Sequence, residues 1–416
     1  MTLATASTAD LAVSDPAAVG IDATRLRRID DHLARYVEDG RLAGTHVVVA
    51  RRGEVVHSSC CGMRDAEAGL PVEQDTLWRI FSMTKPITSV TAMSLFERGL
   101  FELSDPVSRW IPAFADMQVW VSGTADVPVT RPATQPITMR HLLTHTSGLT
   151  YGFMNAHPVD EIYRRNGSVL LHPAGMDLEQ AVDLWAGHPL LFEPGTAWGY
   201  SVATDVLGRV LEVITGRSLA ELFADIVLEP LGMADTHWWV HGTDAHRLAA
   251  LYALDPVTGR RVRHQRMGDA ALTPPGLLSG GGGLISTAAD YHRFVTMLLR
   301  GGELGGERIL GPRTLRYMTK NHLDGRSIAD TGSGSFSEVG YAGVGFGLGF
   351  GVTTDPVRSG VLSSVGEFTW GGLASTAFWV DPVEEVTAVF MTQLMPSSSY
   401  PLRSQLRQLV YQALVD

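Results

Sequence analysis

Apolar positions follow two different periods along this chain. Short apolar runs bounded by turn residues occur near both ends, which is typical of β-strands in a buried sheet. The first two runs are separated only by Arg52-Gly53, so they predict an antiparallel hairpin. Strands are predicted over residues 45–51, 54–61, 344–352, 360–362, 375–381 and 386–393.

Apolar residues at three- and four-residue spacing predict helices in the rest of the chain. Gly99 and Gly216 end two of them, as glycine commonly does. Helices are predicted over residues 22–37, 83–98, 137–145, 178–186, 202–215, 219–228, 286–299 and 403–415.

Strand patterns at both ends and helix patterns in the middle predict an α/β (α+β) fold in which one domain is built from both termini. We assign residues 1–21 to an N-terminal extension. Residues 22–105 and 275–416 form the α/β domain, and residues 106–274 form an inserted, mostly helical domain.

Composition narrows the class of protein. The 416 residues are 45% hydrophobic and 19% charged, an ordinary globular balance, with a net charge of -11. No basic stripe is present, so nucleic acid is not an expected partner. We find no apolar run long enough for a membrane span and no secretory pattern at the start, so a cytoplasmic protein is expected. The adjacent Cys60 and Cys61 are interpreted as small residues of a buried strand.

The first candidate for chemistry is Ser82-Met83-Thr84-Lys85. Only two of the 33 Lys and Arg residues are Lys, and Lys85 is one of them. Lys differs from Arg because burial can shift its pKa enough to release a proton. Ser and Lys three residues apart at a helix start lie on one face, which is typical of a serine nucleophile activated by an amine. On this motif alone, Ser82 as a helix cap and Lys85 as a solvated residue stay an alternative.

Two further candidates follow. Tyr200 precedes the helix predicted at residues 202–215, and a nearby cation would lower its pKa and make it a base. Trp370-Gly371-Gly372-Leu373 precedes a predicted strand, where glycines permit a close approach of the backbone to a ligand. A backbone N–H there and the Ser82 N–H would form an oxyanion hole. Ordinary ring packing of the Tyr and a structural turn at the Trp are the alternatives.

Other patterns do not support a different chemistry. The chain has no Gly-x-Ser-x-Gly elbow of an α/β-hydrolase. His141 and His145 lack the Glu of a zinc HExxH motif, and His237, His241 and His246 are expected at the surface. The glycines at residues 280–283 are not followed by Gly-Lys-Ser/Thr, so they indicate a tight turn.

Taken together and in this order, Ser82-x-x-Lys85, Tyr200-Ser201 and Trp370-Gly-Gly372 resemble the motifs of the serine β-lactamase and penicillin-binding protein superfamily. The resemblance is closest to the family VIII carboxylesterases, the esterase branch related to class C β-lactamases, and it runs from about residue 22 to the end. Further landmarks are His141-Leu-Leu-Thr-His-Thr-Ser-Gly-Leu149, Phe192-Glu-Pro-Gly195, Pro230-Leu-Gly-Met233 and Gly281-Gly-Gly-Leu-Ile-Ser-Thr287.

This resemblance implies a β-lactamase-like antiparallel sheet flanked by helices. It implies Ser82 as the nucleophile, with Lys85 and Tyr200 as the proton-transfer pair; either could be the base. The N–H groups of Ser82 and Leu373 would bind the oxyanion, without a metal or organic cofactor. The substrate-binding residues would be Trp370, Gly371, Gly372 and Tyr151, and Phe153, Trp185 and Trp198 are weaker pocket candidates.

The chain departs from class C β-lactamases at two motifs. Tyr200-Ser201-Val202 stands where they carry Tyr-x-Asn, and Trp370 stands where they carry a lysine that helps bind a carboxylate. Both changes favour a neutral, apolar ester as the substrate, and we expect a short acyl chain. A β-lactamase or D-amino-acid peptidase, an acyltransferase and a non-catalytic binding protein are alternatives on the same fold. The oligomeric state stays open, with a homodimer possible.

Overall fold

An eight-stranded antiparallel sheet lies at the centre of the computed structural model, which describes residues 11–169, 172–173, 175–331 and 340–416. The strands lie in the order β4-β5-β6-β7-β8-β1-β2-β3, so the last strand along the chain pairs with the first. In chain order they are β1 (Gly44–Arg51), β2 (Glu54–Asp65), β3 (Leu70–Pro71), β4 (Val344–Phe346), β5 (Gly351–Thr353), β6 (Phe368–Gly371), β7 (Ala377–Asp381) and β8 (Val386–Met391).

The central strands are continuous apolar runs because helices cover both faces of the sheet. All residues of β1, β7 and β8 are buried. Alternate residues of β1 belong to different hydrophobic clusters, Val47 and Val49 to one and Val48 and Ala50 to the other. The fold class predicted from the sequence is confirmed.

Two pairs of helices cover these faces. Arg28–Glu38 and Leu402–Tyr411 contribute to the cluster that contains Val47. Thr84–Glu97 and Ala288–Leu299 contribute to the cluster that contains Val48. The second cluster continues into the middle of the chain, through helices Met139–Leu143, Pro158–Arg165, Leu178–Ala186, Ala203–Thr215 and Leu219–Phe223 and the π-helix Ala224–Leu228.

Shorter elements complete the described part of the chain. The remaining α-helices are Ala23–Leu26, Gln265–Asp269, Pro312–Met318 and Pro356–Ser359. The 3-10 helices are Pro16–Val19, Phe81–Met83, Val107–Arg109, Pro112–Phe114, Gly152–Met154, Gly242–Arg247, Ala270–Leu272 and Ala329–Thr331. Small sheets pair Trp78–Arg79 with Ile285–Ser286, Gln118–Gly123 with Pro128–Pro132, Glu303–Leu304 with Glu307–Arg308, and Tyr252–Leu254 with both Arg261–Arg263 and Leu394–Met395. None of the helices described is both long and apolar enough to cross a bilayer.

Several predicted elements are wrong. The single strand predicted at residues 344–352 is the hairpin of β4 and β5, and no strand forms at residues 360–362 because Gly360 ends the helix Pro356–Ser359 with a φ of 67°. The helix predicted at residues 137–145 is shorter, Met139–Leu143, capped by Thr138. Cys60 is exposed and Cys61 is partly exposed, because the outer end of β2 lies near the sheet edge with only the two-residue β3 beyond it.

Candidate active site

Ser82 lies at the entry to a helix that is buried on all sides. The strand Trp78–Arg79 leads into the 3-10 turn Phe81–Met83, and helix Thr84–Glu97 follows. Every residue from 84 to 95 is buried, which is why this helix carries small residues and no apolar stripe. Ser82 makes no capping hydrogen bond at this helix, and the side chain of Lys85 is buried rather than solvated. The cap-and-surface alternative is therefore excluded.

The Lys85 amine is held between the nucleophile and a backbone carbonyl. Its Nζ donates to Ser82 Oγ at 3.2 Å and to the Gly281 carbonyl oxygen at 2.6 Å. It also lies 4.6 Å from the ring centroid of Tyr200. Burial lowers the pKa of Lys85 to about 7, against the opposing effect of the Asp205 carboxylate. Near neutral pH a large fraction of this amine can accept a proton.

Tyr200 contacts the same serine. Its phenol is hydrogen-bonded to Ser82 and accepts from Trp370 Nε1 at 3.4 Å. Burial raises the pKa of Tyr200, although both hydrogen bonds act the other way. The lowered pKa expected for Tyr200 is therefore not found, because burial disfavours the phenolate more than the hydrogen bonds favour it. The neutral phenol can still donate one proton and accept another.

The glycines after Trp370 let two other parts of the chain approach closely. A side chain at Gly371 would collide with the guanidinium of Arg403, and one at Gly372 would collide with the Ile80 carbonyl. Arg403 Nη2 donates to the Gly372 and Thr376 carbonyl oxygens, both at 3.1 Å. This turn therefore packs against the segment that precedes Ser82. The turn also contains Leu373, whose N–H is the predicted second oxyanion donor.

A cleft opens in front of Ser82. Tyr151 lines it and stacks on Phe153 at a centroid distance of 4.8 Å. Trp198 stacks on Tyr200, whereas Trp185 is a buried residue whose Nε1 donates to Ser168 Oγ at 3.0 Å. The cleft is lined by Ser82, Tyr200, Leu373 and the aromatic residues Tyr151, Phe153, Tyr341 and Trp370, with Thr369, Glu367, Arg403 and Arg407 at its polar end.

Three residues of this site were not predicted from the sequence. Gly281 accepts a hydrogen bond from the Lys85 amine, and Asp205 accepts one from the Gly281 N–H. His145 is buried, and its Nδ1 shares a hydrogen bond of 3.1 Å with Ser201 Oγ beside Tyr200. Burial and the nearby Lys85 lower the pKa of His145, so it is neutral. The sequence shows the glycine run and the His-Thr-Ser-Gly landmark, but neither pattern predicts which distant residue it contacts.

Side chains that bind metals do not cluster in the residues that the structure describes. In that part of the chain, no group of three or more His, Cys, Asp or Glu residues is arranged to hold a metal ion. The rings of His237 and His241 contact each other at a centroid distance of 5.4 Å.

Comparison with known proteins places this geometry in a family. The Beta-lactamase family matches residues 29–412. Protein Rv1367c of Mycobacterium tuberculosis is 37% identical over 367 residues, covering 86% of this chain and 88% of that protein. Esterase EstB of Burkholderia gladioli is 32% identical over 416 residues, covering 95% and 98%. The structure of EstCE1, described as a hydrolase with promiscuous acyltransferase activity, superposes with a TM-score of 0.76 at 31% identity, covering 94% and 99%.

The chain belongs to the Beta-lactamase family of serine hydrolases. Within that family, the resemblance to the family VIII carboxylesterases is confirmed by the near full-length match to EstB and to the EstCE1 structure.

Proposed function

We propose that this protein is a carboxylesterase that hydrolyses small, neutral, short-acyl esters through an acyl-enzyme on Ser82. The observation that carries the proposal is the 3.2 Å contact between Ser82 Oγ and a buried Lys85 amine whose pKa is about 7. An amine with this pKa can accept the serine proton near neutral pH, and the open cleft gives an ester access to the serine. The similarity to EstB agrees with this chemistry.

The reaction begins when Ser82 Oγ attacks the ester carbonyl carbon and its proton passes to neutral Lys85. The N–H groups of Ser82 and Leu373 hold the oxyanion. When the carbon–alkoxy bond breaks, Tyr200 donates its proton to the leaving oxygen and is reprotonated from Lys85. Water then attacks the acyl-enzyme and its proton passes to Lys85. The acid leaves as Ser82 Oγ takes a proton from Lys85, which restores the neutral amine. No step requires a metal or organic cofactor.

The charges around the cleft support a neutral substrate. Trp370 fills the place of the lysine that class C β-lactamases carry. The two arginines of the polar end are already engaged with the protein, because Arg407 pairs with Glu367 at 3.0 Å and Arg403 donates to two backbone carbonyls. A carboxylate on the substrate would have to compete with these contacts.

The test measures hydrolysis of p-nitrophenyl acetate, butyrate and octanoate, with nitrocefin alongside, for the wild type and S82A. We expect fast turnover of acetate and butyrate that S82A abolishes, with little nitrocefin turnover. Ester turnover that survives in S82A would reject Ser82 as the nucleophile. Nitrocefin turnover equal to ester turnover would favour a β-lactamase, and no labelling of Ser82 by a fluorophosphonate would favour a binding protein.

An acyltransferase is the second candidate, favoured by the similarity to EstCE1. Aromatic side chains line the cleft in front of Ser82, and the apolar part of an alcohol would pack against them when it attacks the acyl-enzyme in place of water. Adding a primary alcohol to the p-nitrophenyl butyrate assay would then give a new butyrate ester. Butyric acid as the sole product at high alcohol concentration would leave hydrolysis as the activity.

A further inference from the structure

Asp205 is a buried carboxylate in the first turn of helix Ala203–Thr215. Its Oδ1 accepts from Ser279 Oγ at 2.5 Å and from the Gly281 N–H at 3.0 Å. A carboxylate in such a place costs free energy unless hydrogen bonds or an opposite charge compensate it. These two donors tie the carboxylate to the glycine turn at residues 280–282.

The same turn holds the Lys85 amine. Gly281 donates its N–H to Asp205 and accepts from Lys85 Nζ at 2.6 Å with its carbonyl oxygen. Gly280 accepts from Thr88 Oγ1, also at 2.6 Å, which fixes the turn to the Ser82 helix. A side chain at position 281 would lie 2.5 Å from Asp205 Oδ2, so the glycine is required for this approach. One residue, Gly281, therefore links the carboxylate to the amine.

The other titratable groups that face Lys85 are neutral. They are His145, Tyr151 and Tyr200; burial keeps the pKa of the histidine low and the pKa values of both tyrosines high. The charge that acts on the amine therefore comes from Asp205, which raises the pKa of Lys85 against the effect of burial.

We propose that Asp205 is a positioning residue: its carboxylate fixes the glycine turn that holds the Lys85 amine beside Ser82, and its negative charge stabilises that amine when it is protonated. This inference rests on the proposed function, because it assigns Lys85 a proton-transfer role. Asp205 does not contact the ester and acts through Gly281 and Lys85.

The experiment compares D205N and D205A with the wild type, using the pH dependence of Ser82 labelling by a fluorophosphonate, followed by mass spectrometry. D205N keeps an oxygen acceptor for the Gly281 N–H and removes the charge. Since the protonated amine is then less stable, the acid limb should move to lower pH by about half a unit or more. D205A also removes the acceptor, and its maximal labelling rate should fall about tenfold or more.

D290N is the matched control, because it removes another buried carboxylate that has no contact with Lys85, and it should keep the wild-type acid limb and rate. A D205N acid limb at the wild-type pH would overturn the charge role, and wild-type labelling by D205A would overturn the positioning role. If D205A does not fold, D205N decides through its acid limb, which a merely structural role would not move. A wild type that is not labelled at Ser82 would instead reject the proposed function, and this inference with it.

Discussion

Lys85 carries an ionisable amine on a side chain that is almost completely buried. Desolvation lowers its pKa to about 7, because a buried ammonium loses its hydration. The sequence indicated this residue through the rarity of lysine and its spacing from Ser82. The degree of burial could not be predicted, since it comes from helices and a glycine turn that are distant in sequence.

The pH dependence of ester hydrolysis should follow the ionisation of Lys85. Only the neutral amine accepts a proton, so kcat/KM should rise as the pH increases through about 7 and fall below it. K85R should lose about three orders of magnitude in kcat without regaining activity at high pH, because arginine keeps its proton. Initial rates with p-nitrophenyl butyrate between pH 5 and 9 measure the pH dependence of the wild type and the activity of K85R. Full activity in K85R would exclude proton transfer by Lys85.

Asp290 gives a second titration, which affects stability rather than chemistry. Its Oδ2 accepts from the Asp235 N–H and Thr236 Oγ1, and burial raises the pKa of Asp290 to about 6. Because folding favours the protonated acid, its ionisation destabilises the fold from about pH 4 upward, with the full penalty above about pH 6.

Replacing this acid by an amide should remove the penalty. We expect D290N to raise the free energy of unfolding by about 1–2 kcal/mol at pH 7.5 and by much less at pH 4. Urea denaturation at both pH values measures the difference. A stabilisation of the same size at both would show that ionisation of Asp290 is not its source.

At the scale of elements, the C-terminal helix Leu402–Tyr411 is bonded to the strand that carries Trp370. Arg407 pairs with Glu367 at 3.0 Å, and both side chains are at most 5% exposed. Arg407 Nη2 also donates to Thr369 Oγ1, and Tyr411 donates to Glu367 Oε2 at 2.8 Å. These bonds connect the helix to β6 immediately before the predicted oxyanion donor at Leu373.

Breaking this buried pair on one side should destabilise the protein strongly. R407M leaves Glu367 as a buried, unpaired carboxylate, which costs about 3–5 kcal/mol. The double variant E367Q/R407M should recover most of that loss, because the charge is gone. R358A is the matched control; its pair with Asp330 is exposed, so it should cost less than about 1 kcal/mol. An R407M protein as stable as the wild type in urea would contradict this account.

Elements with a clear period were predictable, whereas those set by distant contacts were not. Helix Leu178–Ala186 has the predicted bounds, because its period and its Asp177 cap are both local. The hairpin of β4 and β5 was missed because Leu348 and Phe350, between or next to these strands, are also fully buried. Apolar turn residues made two short strands look like one long strand in the sequence.

At the scale of the whole molecule, the site is assembled from regions far apart in the chain. Ser82 and Lys85 come from one helix, Tyr200 and Asp205 from the middle of the chain, and Leu373 from the turn after β6. The motif order in the sequence indicated three of these regions. It could not indicate the Asp205 contact, because Asp205 and Gly281 are 76 residues apart and the landmark that begins at Gly281 does not tell which residue it contacts.

One continuous hydrophobic cluster joins the sheet, the Ser82 helix and the inserted region, since it includes Val48, Ile87 and Leu207 together. We therefore expect a single cooperative unfolding transition, in which ester hydrolysis, tryptophan fluorescence and far-UV circular dichroism change at the same urea concentration.

L207A, in the inserted region, should lower the free energy of unfolding by about 2–5 kcal/mol, because its cavity weakens the shared core. All three transitions should therefore move to lower urea concentration by the same amount. L406A is the matched control. It makes the same truncation in the other hydrophobic cluster, on the opposite face of the sheet. If L207A lowered the activity transition alone, the inserted region would unfold as a separate unit, and the predicted domain boundary at residues 106–274 would also be a boundary of folding.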